Sequence, residues 1–397
     1  MGNELDRRTF MKGTAAAGLA FATRAAAQAP SERLGVGVIG TGGQGTHHLR
    51  KLVGNTGVKV VAVCDIYKPR LDRAKEIAGA DTHHDYRDVL ARDDVDCVWI
   101  CTPDHWHARM AIDAMDAGKD VYCEKPMTRY WHEAKEVYEA VARSRRVVQI
   151  GSQGTSQPLW RRAREHVGTL GPLVWSQTSV ARNMRDGDWQ YGVDLEAGPR
   201  NLDWKRFLGP AQDRPYDPER FFRWRKYWDY SGGIATDLFV HALHALCIPL
   251  GNPWPVRVVS AGGMVVHKDR ETPDSFHALI DYEGDHTVVI TGTQANAQGL
   301  PVVIRGHEAT MEIAGNAIEI QPERISAGRA ETIEVAAVPD AVQTHHANFL
   351  DCVRRRDSRT HCDALHGYKV VLAVDMAVEC WRRQRVLRFD PTRQDVR

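Results

Sequence analysis

The segment Val36-Gly-Val-Ile-Gly40-Thr41-Gly42-Gly-Gln44-Gly45 joins an apolar run, residues 34–39, to a glycine-rich turn. Such a run is typical of a buried strand, and the pattern Gly-x-Gly-x-x-Gly directly after it is the dinucleotide-binding fingerprint. The first glycine makes the turn, the second lets the backbone approach a pyrophosphate, and the third lets a helix pack closely on the strand. The segment therefore predicts a Rossmann-type parallel sheet and a nicotinamide dinucleotide, held by Gly40, Thr41, Gly42, Gln44 and Gly45.

Asp65 supports the same interpretation. It follows a second apolar run, residues 58–64, at the distance from Gly45 that the fingerprint requires. A carboxylate at this position binds the ribose hydroxyls of the adenosine and repels a 2′-phosphate. The expected cofactor is therefore NAD, with NADP disfavoured.

The first thirty residues are expected to be a targeting segment and not part of the fold. Arg7-Arg8-Thr9-Phe10-Met11-Lys12 is a twin-arginine pattern, and a mildly apolar run and Ala25-Ala26-Ala27 follow it. This order predicts export to the periplasm by the twin-arginine route, with cleavage after Ala27; a disordered basic tail is the alternative. The apolar run is too short for a stable membrane anchor.

The overall composition excludes some classes of partner. The formal net charge is +1 over 397 residues, which gives no electrostatic basis for binding nucleic acid or a membrane surface. Eight cysteines are present, none with the spacing Cys-x-x-Cys, and several lie in strand-like apolar runs. We therefore expect neither a disulfide framework nor a structural zinc site.

The pattern along the chain predicts two domains. Short apolar runs alternate with helical segments over residues 31–152, as in a doubly wound parallel sheet. Residues 153–385 show alternating strands that predict a large, mostly antiparallel sheet, closed by two helices, in an α+β domain. Residues 386–397 are assigned to a tail. Residues 183–230 have little periodicity, and an irregular segment of this length is usually functional.

Two short motifs follow predicted strands of the parallel sheet. They are Thr102-Pro103-Asp104-His105 and Glu124-Lys125-Pro126. Ligands of open α/β sheets bind beyond the carboxyl ends of the strands, so Lys125 is expected where a nicotinamide ring and a substrate would meet. A partly buried lysine can polarise or deprotonate a hydroxyl group. A solvated surface lysine is the alternative.

With these motifs and the glycine fingerprint, nearly the whole chain after residue 30 resembles the Gfo/Idh/MocA oxidoreductases. The resemblance implies that Thr102, His105, Glu124, Lys125 and Gln153 lie near the cofactor.

Asp237-Leu-Phe-Val-His241 is similar to the second signature of that family, Asp-x-x-x-His on a helix. By this resemblance His241 is the acid/base for the substrate hydroxyl, Asp237 orients it or binds substrate, and Lys125 holds the same oxygen. Spacing of four places both side chains on one helical face. A core helix with incidental Asp and His is the alternative. The pairs His105/His107 and His241/His244 raise a metal hypothesis, but hydride transfer needs no metal and none is expected.

The segment Arg223–Tyr230 is rich in aromatic and charged residues. Sugar rings stack on aromatic faces, so Trp224 and Tyr227 are the candidate substrate-binding residues; a core or oligomer contact is the alternative.

The sequence thus predicts an exported NAD-dependent oxidoreductase that oxidises a secondary hydroxyl, most simply at C3, of a sugar, polyol or glycoside. Because the periplasm has no free NAD pool, the cofactor is expected to stay tightly bound. The resemblance implies a homodimer or homotetramer. Two alternatives stay open: a glycoside hydrolase or lyase that uses a transient 3-keto intermediate, and a non-catalytic sugar-binding protein on the same scaffold.

Overall fold

The computed structural model describes residues 33–397. The predicted twin-arginine segment, Arg7 to Ala27, lies outside the described residues.

The first half of the chain forms a six-stranded sheet in which every pair of neighbours is parallel. The order β3-β2-β1-β4-β5-β6 reverses direction between β1 and β4, which creates the crevice where ligands of such sheets bind. This confirms the predicted parallel Rossmann sheet. Its strands are β1 (Leu34–Ile39), β2 (Val58–Cys64), β3 (Asp81–His83), β4 (Cys97–Ile100), β5 (Asp120–Glu124) and β6 (Val148–Gly151).

Helices cross between these strands and cover the sheet. They bury small and branched apolar side chains at helical spacing, for example Ala111, Ala114 and Met115 against the sheet. The helices are α1 (Gly43–Val53), α2 (Lys68–Ala78), α3 (Tyr86–Leu90), α4 (Asp104–Asp116) and α5 (Trp131–Ser144).

The second half is built on an eleven-stranded sheet that is antiparallel except where β7 pairs with β10. Its predicted mostly antiparallel character is confirmed. Along β9 and β10 buried residues alternate with more accessible ones, so one face of the sheet is packed and the other is open. The strands are β7 (Leu173–Asn183), β8 (Pro255–Gly263), β9 (Ser275–Tyr282), β10 (His286–Thr293), β11 (Ala295–Asn296), β12 (Val302–Gly306), β13 (Ala309–Ala314), β14 (Ala317–Pro322), β15 (Glu331–Glu334), β16 (Leu387–Asp390) and β17 (Asp395–Val396).

The C-terminal residues are not a detached tail. Strand β16 pairs with β8 at the edge of the large sheet, and β17 pairs with β16. The sequence-based assignment missed these strands, and β3, because each is only two to four residues long and carries too little periodicity to detect.

Five further helices belong to the second half. α11 (Ala364–Arg383) is buried along most of its length and packs on both α5 and β8, so it fastens the two sheets together. α10 (Ala341–Arg355) places its His345 and His346 against the first sheet. The others are α6 (Pro158–His166), α7 (Trp204–Leu208) and α8 (Pro218–Phe222).

One more helical segment changes its winding. Residues Ala235–Phe239 form a π-helical turn that leads directly into α9 (Val240–Leu250). Such turns occur mostly as single wide turns within α-helices and are frequent at functional sites.

Candidate active site

A cleft of about 730 Å³ opens at the carboxyl edge of the parallel sheet. We call it the sheet-edge cleft. Its floor is the glycine-rich turn after β1, and residues of the irregular segment before the π-helical turn close it from the other side. The predicted residues that line it are Gly40, Gly42, Gln44, Asp65, Thr102, Glu124, Lys125 and Trp224.

The glycine turn has the geometry that the fingerprint requires. Gly40 has φ +84°, a conformation that L side chains rarely adopt. A Cβ added at Gly45 would lie 1.8 Å from the carbonyl oxygen of Gly40, so only glycine lets α1 pack this close to β1. A Cβ at Gly43 would meet nothing within 4 Å. Since no side chain caps α1 at Gly42, its first backbone N–H groups face the cleft and suit an anion.

Asp65 lies buried in the wall of the cleft at the end of β2. Its Oδ2 accepts hydrogen bonds from Thr41, from the backbone N–H at 2.7 Å and from the hydroxyl at 3.1 Å, and its Oδ1 accepts from the N–H of Tyr67 at 2.9 Å. The carboxylate is therefore fixed against the glycine turn, where a ribose bound at this edge would lie. Arg70 and Arg73 line the same end of the cleft.

A second cavity of about 410 Å³ adjoins the cleft. We call it the chamber. Gln44, Glu124, Lys125, Tyr191 and Arg225 line both spaces, so the two meet at the end of β5. The remaining lining residues from the prediction are Gln153, Asp237 and His241.

Lys125 and Asp237 form the central ion pair of the chamber. Lys125 Nζ donates to Asp237 Oδ1 at 2.6 Å, and the side chains of both residues are about nine-tenths buried. Arg225 Nε donates to the same oxygen at 2.9 Å, and Trp189 Nε1 donates to Oδ2 at 3.0 Å. Burial alone would raise the pKa of Asp237, but the charges of Lys125 and Arg225 prevail and hold it far below its usual range. The carboxylate is therefore an anion with three donors.

The π-helical turn contributes to this arrangement. Lys125 Nζ also donates to the backbone carbonyl oxygen of Asp237, at 2.9 Å. This oxygen belongs to Ala235–Phe239, where the chain winds more widely than an α-helix. Asp237 and His241 thus lie on one continuous helical segment, as predicted, but in its π-helical and α-helical parts respectively and not on a regular α-helix.

His241 lies in the first turn of α9, half-buried, and faces the chamber. Burial, and next the positive charge of Lys125, lower its pKa to about 4, while Asp237 acts in the opposite direction. The imidazole is therefore neutral near pH 7 and can accept a proton.

Four predicted site residues line neither space. Thr41 and Gly45 are buried within the glycine turn, where Thr41 donates to Asp65 and Gly45 packs on Gly40.

The other two, His105 and Tyr227, lie farther away. His105 is buried, with Nε2 2.8 Å from the carbonyl oxygen of Phe207, and packs against the ring of Tyr230 instead of lining the cleft. Tyr227 lines neither space; its ring packs at the edge of an aromatic cluster, beneath the guanidinium of Arg220. Trp224 does line the sheet-edge cleft, with Arg225 over its ring.

The sequence-based prediction missed one whole wall of the chamber, residues 187–191. All five line it, and Trp189 takes the left-handed conformation with φ +67°. A bulky residue in that region is a genuine outlier, and such strain clusters at functional sites. The length of the irregular segment predicts a functional role, and Trp189 is one of its several tryptophans, but no motif there singles out these five residues.

The remaining features of the described chain can be stated briefly. All eight cysteines are free. Within residues 33–397 no group of three or more His, Cys, Asp or Glu side chains is arranged to hold a metal ion. None of the helices described is both long and apolar enough to cross a membrane.

A glycine turn open to an anion, a fixed acid at the end of β2 and a polar chamber beside the sheet edge define a Rossmann-type dinucleotide site with an adjoining small-molecule pocket. Residues 34–152 match the NAD-binding Rossmann fold of the Gfo/Idh/MocA oxidoreductase family, and residues 187–397 match its C-terminal α/β domain. The chain belongs to this family.

Curated relatives are similar over part of their length. The chain is 33% identical to a glycosyl hydrolase family 109 protein of Shewanella baltica, over 36% of this chain and 38% of that protein. It is also 33% identical to an inositol 2-dehydrogenase of Rubrobacter xylanophilus, over 42% of this chain and 47% of the relative. The matches thus span less than half of either relative.

Solved structures share the fold over almost the whole chain. A levoglucosan dehydrogenase in complex with NADH and levoglucosan superposes with a TM-score of 0.68 at 18% identity, covering 90% of this chain and 99% of that one. The WlbA dehydrogenase from Bordetella pertussis, in complex with NADH and UDP-GlcNAcA, gives a TM-score of 0.68 at 18% identity and covers 91% and 98%. At this identity the likeness concerns the fold alone.

Proposed function

We propose that this chain is an NAD-dependent dehydrogenase that oxidises a secondary hydroxyl, at C3, of a sugar or glycoside. The observation that carries the proposal is the Lys125–Asp237 ion pair beside a neutral His241, in a polar chamber that shares a wall with the sheet-edge cleft. A volume of about 410 Å³ is in the usual range for a small-molecule site.

The residues of the cleft fit a nicotinamide dinucleotide. The uncapped start of α1 suits its pyrophosphate, and Asp65 suits an adenosine ribose without a 2′-phosphate. When bound, the oxidised nicotinamide supplies the acceptor for the two electrons and the hydrogen that leave the substrate carbon.

The chain's own residues then handle the proton and the charge. The C–O bond gains double-bond character only as the hydroxyl proton departs, and the unprotonated His241 can accept that proton. The ammonium of Lys125 is held by the Asp237 anion in contact with it and can donate to the substrate oxygen as negative charge develops there. Arg225 and Trp189 orient Asp237 and so fix Lys125.

The reaction is tested with the purified protein, NAD⁺ or NADP⁺, and a panel of polyols, free sugars and glycosides. We expect a dehydrogenase to accumulate reduced nicotinamide, followed by its near-ultraviolet absorbance, in proportion to a keto-sugar with an intact glycosidic bond seen by NMR. We expect NAD⁺ to bind more tightly than NADP⁺ because of Asp65. No cofactor reduction with any member of the panel would refute the dehydrogenase proposal.

The same assay distinguishes a second candidate function from the dehydrogenase. Similarity to the glycosyl hydrolase family 109 protein makes redox-assisted cleavage of a glycoside the main alternative. In that reaction the carbon is oxidised, the aglycone is eliminated and the hydride returns. Free aglycone without net cofactor reduction would therefore replace the dehydrogenase proposal with this one.

Export and assembly remain proposals too. Retention of the cofactor through purification, and location in the periplasm that depends on Arg7 and Arg8, would support a cofactor that travels with the folded protein. A homodimer or homotetramer in light scattering would support the proposed assembly.

A further inference from the structure

A buried chain of hydrogen bonds leads from the junction of the two cavities into the protein. Glu124 Oε1 lies 2.6 Å from His48 Nε2 on α1. His48 Nδ1 lies 2.8 Å from His346 Nε2 on α10, and Trp99 Nε1 on β4 donates to that same nitrogen at 3.3 Å. All four side chains are at least nine-tenths buried.

The contact at the cleft end of this chain fixes one proton. An ionised Glu124 can only accept, so His48 Nε2 donates to Glu124 Oε1 over 2.6 Å. Gln44 Nε2 lies 3.0 Å from the same ring nitrogen. A buried carboxylate that receives such an N–H keeps its charge more readily than one without a donor.

The charges around Glu124 agree with this assignment. Burial opposes its ionisation, but the hydrogen bond and charge of His48, followed by the charge of Lys125, hold its pKa at about 2. Gln44 Nε2 lies 3.4 Å from the same carboxylate oxygen, and the backbone N–H of Lys125 donates to the other. His241 is the remaining titratable group that acts on Glu124 from the chamber side.

Other groups face His48 from every side of the cluster. Tyr122 on β5 packs edge-on against its ring, and His345 lies next to His346 on α10. On the solvent side of α1, His47 is exposed with its ring 5.9 Å from that of His48, and Lys51 pairs with Asp340. No second carboxylate among the described residues contacts the His48 ring, so Glu124 is its carboxylate partner.

We propose that His48 is a positioning residue that keeps Glu124 ionised at the junction of the cleft and the chamber, so that the site prefers the oxidised dinucleotide to the reduced one. The inference rests on the proposed function, which puts a nicotinamide ring at this junction. The oxidised ring carries a positive charge and the reduced ring does not, so a fixed carboxylate favours the former. Without His48, burial would favour the protonated and neutral acid.

The protonation of His48 is tested first, without any cofactor. Nitrogen-15 NMR of histidine-labelled protein, assigned with the His48→Gln variant, should show a proton on Nε2 of His48 near neutral pH. A bare Nε2 on His48 would overturn the inference.

The effect on the cofactor is tested by calorimetric binding of NAD⁺ and NADH from about pH 6 to 8.5. We expect the ratio Kd(NAD⁺)/Kd(NADH) to be independent of pH in the wild type. In His48→Gln the ratio should rise about tenfold at the acid end, which is the effect of about 1.4 kcal/mol on one equilibrium, and fall again as Glu124 ionises. Glu124→Gln should show the raised ratio at every pH, and the exposed neighbour variant His47→Gln should match the wild type.

Each outcome has a separate meaning. A ratio in His48→Gln equal to that of the wild type throughout would overturn the inference while leaving the proposed function intact. A wild-type protein that binds neither nucleotide would overturn the proposed function and this role of His48 together.

Discussion

The position of the Lys125 ammonium depends on Asp237 and on the two other groups that donate hydrogen bonds to that carboxylate. Asp237 accepts from Lys125, Arg225 and Trp189, so two cations and an indole N–H share one buried carboxylate. A buried anion with this many donors stays ionised and holds the ammonium in one place. The neighbouring His241 is kept neutral, in contrast to the charged Asp237, because burial and the charge of Lys125 lower its pKa.

The charge of Lys125 should be visible in the pH dependence of the reaction. His241 must be unprotonated to accept the hydroxyl proton, so kcat/KM for oxidation should fall only near its pKa of about 4, below the ordinary histidine range. In Lys125→Met the rate should drop by about 10²- to 10⁴-fold. The acid limb should also move to higher pH, because the charge that lowers the pKa of His241 is gone. Steady-state kinetics from acid to neutral pH measure both effects.

Asp237→Asn is the opposing control for this prediction. Asp237 raises the pKa of His241, so its neutralisation should displace the acid limb to lower pH, if it moves at all, and never to higher pH. An acid limb that shifts in the same direction in both variants would mean that His241 is not the group being titrated.

The sequence could identify these residues but not all of their neighbours. Lys125, Asp237 and His241 were found because they lie in short motifs at fixed spacing, and the structure brings all three to one chamber. His105 and Tyr227 belonged to equally suggestive segments. Instead, His105 bonds to the carbonyl oxygen of Phe207 and Tyr227 packs beneath Arg220. A local sequence pattern does not contain these contacts.

At the scale of the element, the glycine turn between β1 and α1 was predictable in detail. Its residues follow a rule of backbone geometry that operates within ten residues of sequence. The π-helical turn and the wall of residues 187–191 were not. The π-helical turn meets Lys125, which is distant in sequence, through the carbonyl oxygen of Asp237. The wall contains a left-handed Trp189 that donates to Asp237, also distant in sequence.

Two glycines of α1 provide a matched test of the turn. Gly45→Ala places a Cβ 1.8 Å from the carbonyl oxygen of Gly40, so α1 must move away from β1. We expect it to cost about 1–3 kcal/mol of unfolding free energy, the usual price of overpacking, and to weaken dinucleotide binding. Gly43→Ala meets nothing within 4 Å. It should leave the unfolding free energy within about 1 kcal/mol of the wild type, because alanine suits a helix at least as well as glycine.

Chemical denaturation and calorimetric binding of NAD⁺ distinguish the two variants. Equal stability in Gly43→Ala and Gly45→Ala would show that α1 does not depend on the close approach at Gly40. The distinction matters because both substitutions lie in the same helix and differ only in what the added methyl group meets.

At the scale of the whole molecule, buried histidines hold elements together where apolar side chains usually pack. His345 on α10 bonds to the carbonyl oxygen of Ile150 on β6, and His105 on α4 bonds to that of Phe207 on α7. Burial is the first cause that lowers the pKa of each of these, and of His241, to about 4. The fold therefore holds several imidazoles in the neutral form.

Acid should for this reason destabilise the protein well above the pH at which carboxylates titrate. The unfolded histidines have a pKa of 6.5 and the folded ones about 4, so between these values the unfolded chain binds more protons. The contribution of these histidines to the free energy of unfolding is fully present above about pH 6.5. It declines as pH falls toward about 4, by at most about 1.4 kcal/mol per pH unit for each histidine. Glu133 and Asp375 oppose this, because burial raises their pKa values to about 7 and about 6 and lets the folded state bind protons in the same window.

Thermal unfolding of residues 33–397 measured from about pH 7 to 5 tests the balance of these groups. We expect Tm to fall as the pH is lowered, because the histidines with lowered pKa values outnumber the two carboxyl groups with raised pKa values. Glu133→Gln removes one opposing group and should steepen the decline, whereas His105→Gln keeps a donor for the carbonyl oxygen of Phe207, cannot take up a proton, and should make it shallower. A Tm that is flat over this range, or the two variants changing the slope in the opposite sense, would show that these histidines are not held neutral by the fold. The buried contacts of His105 and His345 would then owe their stability to something other than uncharged imidazoles.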